Sequence, residues 1–159
     1  MLPGAKLSED LFVKPHQKIS REVTQKDIKR VIKDGQLMFQ LCHTKIGSYK
    51  SAYAIAHPQI TDKDPLRFFV TREQKMIINP VIVRHTNAMM LKDEGCMTFS
   101  DTAPINKMRY HKCEVEFQQI DEKGKLTAPR VWACKGIEAQ IVQHEIDHFN
   151  CKYLYAWAN

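Results

Sequence analysis

The segment Gln143-His-Glu-Ile-Asp-His148 contains the residues of this sequence that are best suited to metal chemistry. His144 and His148 are four positions apart, so on a helix their imidazoles project from one face and can share an ion. The carboxylate of Glu145 can reach a water on that ion and move a proton without coordinating. The spacing predicts a catalytic metal site and leaves the reaction open, because many zinc proteases share the motif. A solvated, salt-bridged helix face remains open, because His-Glu-x-x-His also occurs in unrelated helices.

A catalytic metal site needs a third protein ligand, and two cysteines are candidates for it. Cys96 lies in Glu94-Gly-Cys-Met-Thr98, directly after a glycine that permits unusual backbone angles and close approach. Cys151 follows the histidines on the same predicted helix, but a rise of about 1.5 Å per residue puts it roughly 10 Å along the axis from His144. Cys96 is therefore the preferred ligand, and an ordinary buried cysteine is the alternative interpretation.

Three motifs, in this order along the chain, resemble those of the peptide deformylase family. Ala52-Tyr-Ala-Ile-Ala-His-Pro-Gln59 loosely matches the family's first motif, Gly-x-Gly-Leu-Ala-Ala-x-Gln. Glu94-Gly-Cys-Met-Thr98 resembles the second motif and Gln143–His148 the third. The resemblance implies an α+β fold in which antiparallel sheets pack around a central helix that carries the His-Glu-x-x-His motif.

The resemblance also implies the metal and the reaction. One divalent ion is expected, usually Fe²⁺ in this family, with Zn²⁺, Ni²⁺ or Co²⁺ as substitutes. The donor types agree with this expectation, because a thiolate with two imidazoles suits several first-row metals. The expected reaction is hydrolysis of the N-terminal formyl group of N-formylmethionyl nascent peptides, which releases formate. The ligands implied by the resemblance are Cys96, His144 and His148.

Further residues receive roles from the same resemblance. Glu145 is expected to act as general base and then general acid. The side-chain amide of Gln59 and the backbone N–H of Met97 are expected to stabilise the oxyanion of the tetrahedral intermediate. Glu94, Arg109 and Asp147 are candidates for orienting the ligands, or they are ordinary charges. The residues expected to line the substrate are Tyr53, Ala54, Ile55, Glu94, Gly95, Ile137 and Ile141.

The chain departs from the family's pattern at several motif positions. Alanines replace both leading glycines of the first motif, at Ala52 and Ala54, which predicts a narrower or differently shaped substrate wall. His57 replaces the motif's second alanine, and Cys151 replaces the glycine that commonly follows the third motif's helix. Two alternatives to a deformylase remain open at this point. They are a metallo-amidase or peptidase with another substrate, and a deformylase-derived protein that binds a metal or a partner without catalysis.

The spacing of apolar residues predicts the helices and strands that position these motifs. Apolar residues at helical spacing after Thr24, a plausible N-cap, predict a first helix to about Cys42. Alternation from Cys113 to Phe117 and the turn-forming residues 121–124 predict a hairpin with Leu126–Val131. A second helix is predicted from Gly136 to about Cys151. Further short strands are predicted around Tyr53–Ile55 and at Leu66–Val70, Met76–Ile78 and Val81–Val83.

Composition sets broader limits on the protein. A chain of 159 residues with 43% hydrophobic and 26% charged residues predicts a single folded domain over residues 1–159, expected to be a monomer. The net charge of +6 is spread along the chain, so no direct nucleic-acid readout is expected, although docking on the ribosome surface is compatible with it. The five scattered cysteines favour a reducing compartment.

Expectations on location and source follow from the ends of the chain. No apolar run has the length of a signal-peptide core or a membrane span, so no membrane association is expected. The chain ends soon after the third motif, whereas many bacterial deformylases extend into another helix, and compact forms are seen in phages. The expected location is therefore the bacterial cytoplasm, or the host cytoplasm for a phage-encoded protein.

Overall fold

The computed structural model describes residues 18–44, 52–96 and 105–152, and these contain two α-helices and seven strands. The helices are α1 (Ile28–Cys42) and α2 (Ile137–Phe149), and single 3-10 turns cover Gln25–Asp27 and His57–Gln59. The strands are β1 (Ala54–Ala56), β2 (Phe68–Thr71), β3 (Met76–His85), β4 (Ala88–Glu94), β5 (Ile105–Tyr110), β6 (Lys112–Gln118) and β7 (Arg130–Lys135).

The strands form two sheets, and every pairing between these seven strands is antiparallel. One sheet has the order β1-β2-β3-β6-β7, and the other consists of β4 and β5 alone. Helix α2 packs against β1, β5 and β7, and so contacts both sheets. The predicted α+β class with antiparallel sheets is confirmed.

Helix α1 begins as the sequence predicts. The Thr24 N–H and hydroxyl both donate to Asp27 Oδ2, at 2.8 and 3.0 Å, which closes the first turn. Its apolar face, including Val31 and Met38, packs on Phe68 in one core cluster. Gly35 lowers the helix propensity, but a Cβ at this position would collide with the end of the Met76 side chain. The glycine therefore leaves room for the end of the Met76 side chain against α1.

The strands differ from the sequence prediction in three places. β3 is one strand across both predicted segments, because Asn79 adopts a left-handed φ of 51° inside a register shift that keeps the pairing with β6. β7 begins at Arg130, since Leu126 makes only an isolated bridge with Ile120. The hairpin partner is therefore shifted towards the C-terminus. β4 and β5 were not predicted, because their sequences AMMLKDE and INKMRY show no clear alternation of apolar and polar residues.

Helix α2 ends in a Schellman motif, with Cys151 in the left-handed region at φ 55°. The Lys152 N–H donates to the Asp147 carbonyl at 2.8 Å, and the Cys151 N–H donates to the His148 carbonyl at 3.2 Å. Glycine adopts this conformation without steric cost, whereas a residue with a Cβ does not. The cysteine therefore introduces local strain immediately after the helix that carries the two histidines.

Replacing Cys151 with glycine is expected to raise the free energy of unfolding by about 1 kcal/mol, because the left-handed backbone is strained for a non-glycine residue. Urea unfolding followed by circular dichroism measures the change. The matched control is Cys151→Ala, which removes the thiol and keeps the strained Cβ, and it is expected to leave the stability unchanged. A glycine variant no more stable than the alanine variant would contradict this account.

Candidate metal centre and active site

The donor atoms of Cys96, His144 and His148 converge at one place, all within 4.8 Å of one another. Cys96 Sγ lies 3.5 Å from His148 Nε2, and that nitrogen lies 3.2 Å from His144 Nε2. The histidines lie on adjacent turns of α2, while Cys96 comes from the chain just after β4. Cys151 does not belong to the convergent group, as the helical rise predicts.

These separations fit a bound transition-metal ion. A tetrahedral ion with bonds of ~2.0–2.1 Å to nitrogen and ~2.3 Å to sulfur would hold two nitrogens about 3.3 Å apart and a sulfur about 3.6 Å from a nitrogen. The observed distances of 3.2 and 3.5 Å are close to both values. A site with three protein ligands also leaves a coordination position for substrate or water. The donor set therefore fits a catalytic metal.

A buried ion-pair network orients the first histidine. Glu94 Oε1 lies 2.8 Å from His144 Nδ1, which places the ring proton on Nδ1 and directs the Nε2 lone pair towards Cys96 and His148. Arg109 binds both oxygens of Glu94, and its Nη1 donates to Asp147 Oδ2 at 2.5 Å. Burial opposes ionisation of Glu94, but the bonds from His144 and Arg109 outweigh it and lower the pKa of this carboxyl to about 2.

Glu145 is a buried carboxyl beside the ligand set. The residue is 4% exposed, and its Oε2 atom has no hydrogen-bond partner among the described residues. Burial raises the pKa of Glu145 to about 7. A carboxyl that titrates near neutrality can both accept and return a proton at physiological pH. Its chemistry therefore differs from that of Glu94, which stays ionised.

Gln59 lies on the 3-10 turn after β1 and is 2% exposed. Its Oε1 atom accepts a hydrogen bond of 2.9 Å from the Ala56 N–H, which fixes the oxygen end of the amide. Nε2 is therefore the end that can donate to an oxyanion. This turn packs against both helices. Met97, the second expected oxyanion donor, lies outside the described residues.

Gln143 docks α2 on β5, a role that the motif pattern did not reveal. Its Oε1 accepts from the Tyr110 N–H at 2.8 Å, and its Nε2 donates to the Tyr110 carbonyl at 2.9 Å. The Gln143 amide thus makes the two backbone hydrogen bonds that a neighbouring strand would make with Tyr110 at the end of β5. This pairing holds the histidine helix against the strand that carries Arg109. A glutamine directly before the first histidine was visible in the sequence, but its partner was not.

The residues expected to line the substrate occupy different environments. Tyr53 is 69% exposed, and with Ile141 it lines an open cavity of ≈ 570 Å³. Ile141 precedes His144 and Glu145 by about one helical turn, and it is the α2 residue of this cavity nearest to them in the sequence. Ile137 is 68% exposed at the start of α2, whereas Ile55 is fully buried in the core with α1. The Ile55 side chain therefore packs in the core, and its role towards the substrate stays a prediction.

The other residues expected to line the substrate pack against, or form hydrogen bonds with, the residues around the metal ligands. Ala54 is 9% exposed and packs in the second core cluster, with Val142 of α2. The Glu94 side chain is committed to Arg109 and His144. Gly95 is half-buried directly before the cysteine ligand. Gln140, one turn before His144, donates to the Lys92 carbonyl at 3.2 Å and so ties α2 to β4.

An antiparallel α+β fold with a Cys-His-His donor set and a buried carboxyl beside it is the arrangement of a metallohydrolase. The family profile of polypeptide deformylase matches residues 6–159, and the chain belongs to this family. Its members are metal-dependent and remove N-formyl groups from nascent peptides. The chain is accordingly a hydrolase of formylated peptides, and the predicted family and activity are confirmed.

Individual relatives agree with this assignment. The chain is 29% identical over 141 residues to the peptide deformylase of Prochlorococcus marinus strain MIT 9312, covering 84% of this chain and 67% of that protein. Its fold is similar to that of the PDF (peptide deformylase) of Vibrio parahaemolyticus bacteriophage VP16T, solved in complex with actinonin. That match has a TM-score of 0.67 and 28% identity, over 86% of this chain and 91% of the phage chain.

A more distant structure shares the fold. The peptide deformylase of Thermotoga maritima matches with a TM-score of 0.68 at 22% identity, over 97% of this chain and 92% of that chain. At this identity the similarity concerns the architecture alone. Separately, neither helix in the part of the chain that the structure describes is long and apolar enough to cross a membrane.

Proposed function

We propose that this chain deformylates N-formylmethionyl peptides at the site formed by Cys96, His144, His148 and Glu145. The observation that carries the proposal is the Glu145 carboxyl. It is buried beside three convergent metal-ligand atoms, and one of its oxygens has no partner among the described residues. A buried carboxyl oxygen without a hydrogen-bond partner destabilises the fold. A function in proton transfer explains why a carboxyl is kept at this position.

The residues divide into ligands and reacting groups. A divalent ion held by the thiolate and the two imidazoles would act as a Lewis acid on the formyl carbonyl and on the attacking water. We propose Fe²⁺ as the physiological ion, with Zn²⁺, Ni²⁺ or Co²⁺ able to replace it, because the donor set accepts all four. Glu94 holds His144 in the tautomer that presents Nε2 as a ligand.

Glu145 moves the proton. Its carboxylate accepts a proton from the water that attacks the formyl carbon, and the new C–O bond gives a tetrahedral intermediate. The same proton passes to the amine nitrogen, the C–N bond breaks, and formate and a free N-terminal methionine leave. A carboxyl with a pKa raised to about 7 by burial is suited to both halves of this cycle.

The oxyanion and the substrate chain need further groups. The Gln59 amide donates from Nε2 to the oxyanion, in the orientation set by the bond between Oε1 and the Ala56 N–H. The Met97 backbone N–H is the second donor by resemblance to the family. The methionine side chain enters the cavity lined by Tyr53, Trp132 and Ile141, which supply its largest apolar side chains.

The physiological substrates on this proposal are nascent peptides. The net charge of +6 favours approach to the acidic ribosome surface by long-range attraction. The chain acts as a monomeric, single-domain enzyme in the bacterial cytoplasm, or in the host cytoplasm if a phage encodes it. A deformylase-derived binding protein and an amidase with another substrate are the alternatives that the assay below distinguishes.

The test is a formate-release assay on protein purified anaerobically with one equivalent of Fe²⁺. Formyl-Met-Ala-Ser is expected to release formate, with a kcat/KM about 10- to 200-fold above that for acetate release from acetyl-Met-Ala-Ser, because the acetyl group adds a methyl group at the reacting carbon. Bound metal without formate release would favour the binding protein. Comparable hydrolysis of acetylated or internal amide bonds would favour the other amidase.

A further inference from the structure

His57 occupies the first position of the turn that carries Gln59 and is fully buried. Its Nδ1 atom accepts a hydrogen bond of 2.9 Å from the Leu66 N–H. Its Nε2 atom lies 2.9 Å from Asp34 Oδ2, on the polar side of α1. The ring also stacks on Phe68, with centroids 4.6 Å apart. One side chain thus joins the Gln59 turn to α1 and to the residues that precede β2.

These contacts define the protonation state of the ring. A backbone N–H can only donate, so the Leu66 bond requires an unprotonated Nδ1. The carboxylate of Asp34 can only accept, so the proton lies on Nε2. Protonation of Nδ1 would place two N–H groups against each other at a buried position, and the contact with Leu66 would be lost. The arrangement is therefore compatible with the neutral Nε2–H tautomer and incompatible with the cation.

The position of Gln59 depends on the same turn. Pro58 separates the two side chains, and the turn closes through the bond from the Ala56 N–H to Gln59 Oε1, at 2.9 Å. A displacement of His57 therefore moves the turn that orients the amide. A substitution that does not touch the reacting atoms can lower a reaction rate by about 100-fold if it displaces a catalytic group by about 1 Å.

We propose that His57 is a positioning residue for the deformylase reaction: its neutral ring, held between Asp34 and Leu66, sets the orientation of the Gln59 amide towards the oxyanion. The proposal rests on the function proposed above for Gln59. His57 itself touches neither the substrate nor the metal ligands. The same geometry makes the position of His57 sensitive to acid, because protonation of Nδ1 removes the hydrogen bond from the Leu66 N–H.

The charges around His57 set the direction of this sensitivity. Asp34 and Arg30 face it from α1, with Arg30 Nε 3.5 Å from Asp34 Oδ2, and Asp64 lies in the segment before Leu66. Burial lowers the pKa of His57 below its ordinary value, although Asp34 opposes the shift. The neutral ring thus stabilises the fold above the unfolded-state pKa of about 6.5, and this contribution is lost as the pH falls towards the lower folded value.

The first test is spectroscopic and does not depend on turnover. Long-range ¹H–¹⁵N correlation of the zinc-loaded protein, assigned by comparison with His57→Asn, is expected to show the neutral Nε2–H tautomer at neutral pH. The Gln59 side-chain amide resonances are expected to shift in His57→Ala. A His57 cation at neutral pH, or Gln59 amide resonances unchanged in His57→Ala, would overturn the proposal even if the chain released no formate.

The second test is kinetic and uses a series of variants. His57→Ala is expected to lower kcat about 10- to 100-fold with KM within about twofold, because the amide acts in the transition state. His57→Asn keeps an acceptor for the Leu66 N–H, and Asp34→Asn keeps an acceptor for the His57 Nε2–H. Both variants are therefore expected to show a smaller decrease in kcat than His57→Ala. The ratio of wild-type kcat to that of His57→Asn should stay constant near pH 6.5 and fall only at a more acidic pH, because burial lowers the pKa of His57 in the folded enzyme below its ordinary value.

A double-mutant cycle separates positioning from a general effect on the fold. In a Gln59→Ala background, His57→Ala is expected to cause less than about a twofold further loss of kcat, because the group that it positions is gone. A loss equal to that in the wild-type background would overturn the proposal. If Gln59→Ala alone left kcat unchanged in an active enzyme, the oxyanion role of Gln59 would fail, and the amide resonances above would still test whether His57 orients it.

Discussion

Replacing Glu145 with glutamine is expected to lower kcat by about 10³- to 10⁴-fold while the protein still binds one metal ion per chain. Glutamine has nearly the same shape as the buried carboxyl but is unable to accept and return the proton. Because the donor atoms of Cys96, His144 and His148 are untouched, metal analysis should match that of the wild type. KM for formyl-Met-Ala-Ser should change little, since the carboxyl acts on the reacting water and the leaving nitrogen.

The matched control for this variant is Glu122→Gln, in the turn between β6 and β7. The exposed Glu122 side chain lies outside the ligand set and outside the cavity assigned to the substrate. It should retain wild-type kcat. If Glu145→Gln released formate at the wild-type rate with its metal bound, proton transfer by this residue would be wrong, and another group would have to move the proton.

Replacing Cys96 with alanine is expected to remove the ion and the activity together. The thiolate supplies one of three protein ligands, so the affinity for the metal should fall roughly a thousandfold or more. Metal bound to the native state stabilises it, and a chelator should therefore lower the melting temperature of the wild type. The alanine variant should melt at the same temperature with and without the chelator, which measures loss of binding independently of turnover.

The control for this variant is Cys151→Ala, because Cys151 is the other cysteine near the two histidines in the sequence. It is expected to keep the metal, the activity and the stabilisation by metal. The reverse pattern, with metal retained in Cys96→Ala and lost in Cys151→Ala, would refute the ligand set. Loss of metal in both variants would indicate a general disturbance of α2 instead of a ligand role.

Much of the architecture was predictable because its signals are local. Helix α1 begins at a Thr24–Asp27 pair, and the alternation around Val115 indicated β6. The hairpin of β4 and β5 was missed as a separate sheet, because neither segment shows a clear alternation of apolar and polar residues. The long β3 was divided in the prediction at Asn79-Pro80. The partners of the Asn79 side chain, Val23 and Gln118, come from distant parts of the chain.

By itself, the sequence determined the chemistry and the spacing of the helix motif, since residues four apart share one face in any α-helix. The tertiary structure decided the rest. The convergence of Cys96 with the histidines, the hydrogen bond from His144 to Glu94, and the burial of Glu145 all depend on how α2 packs against the two sheets. Such contacts join residues about 50 positions apart, so no local pattern encodes them. The burial of Glu145 is the clearest case, because that packing turns an ordinary helical glutamate into a carboxyl that titrates near neutrality.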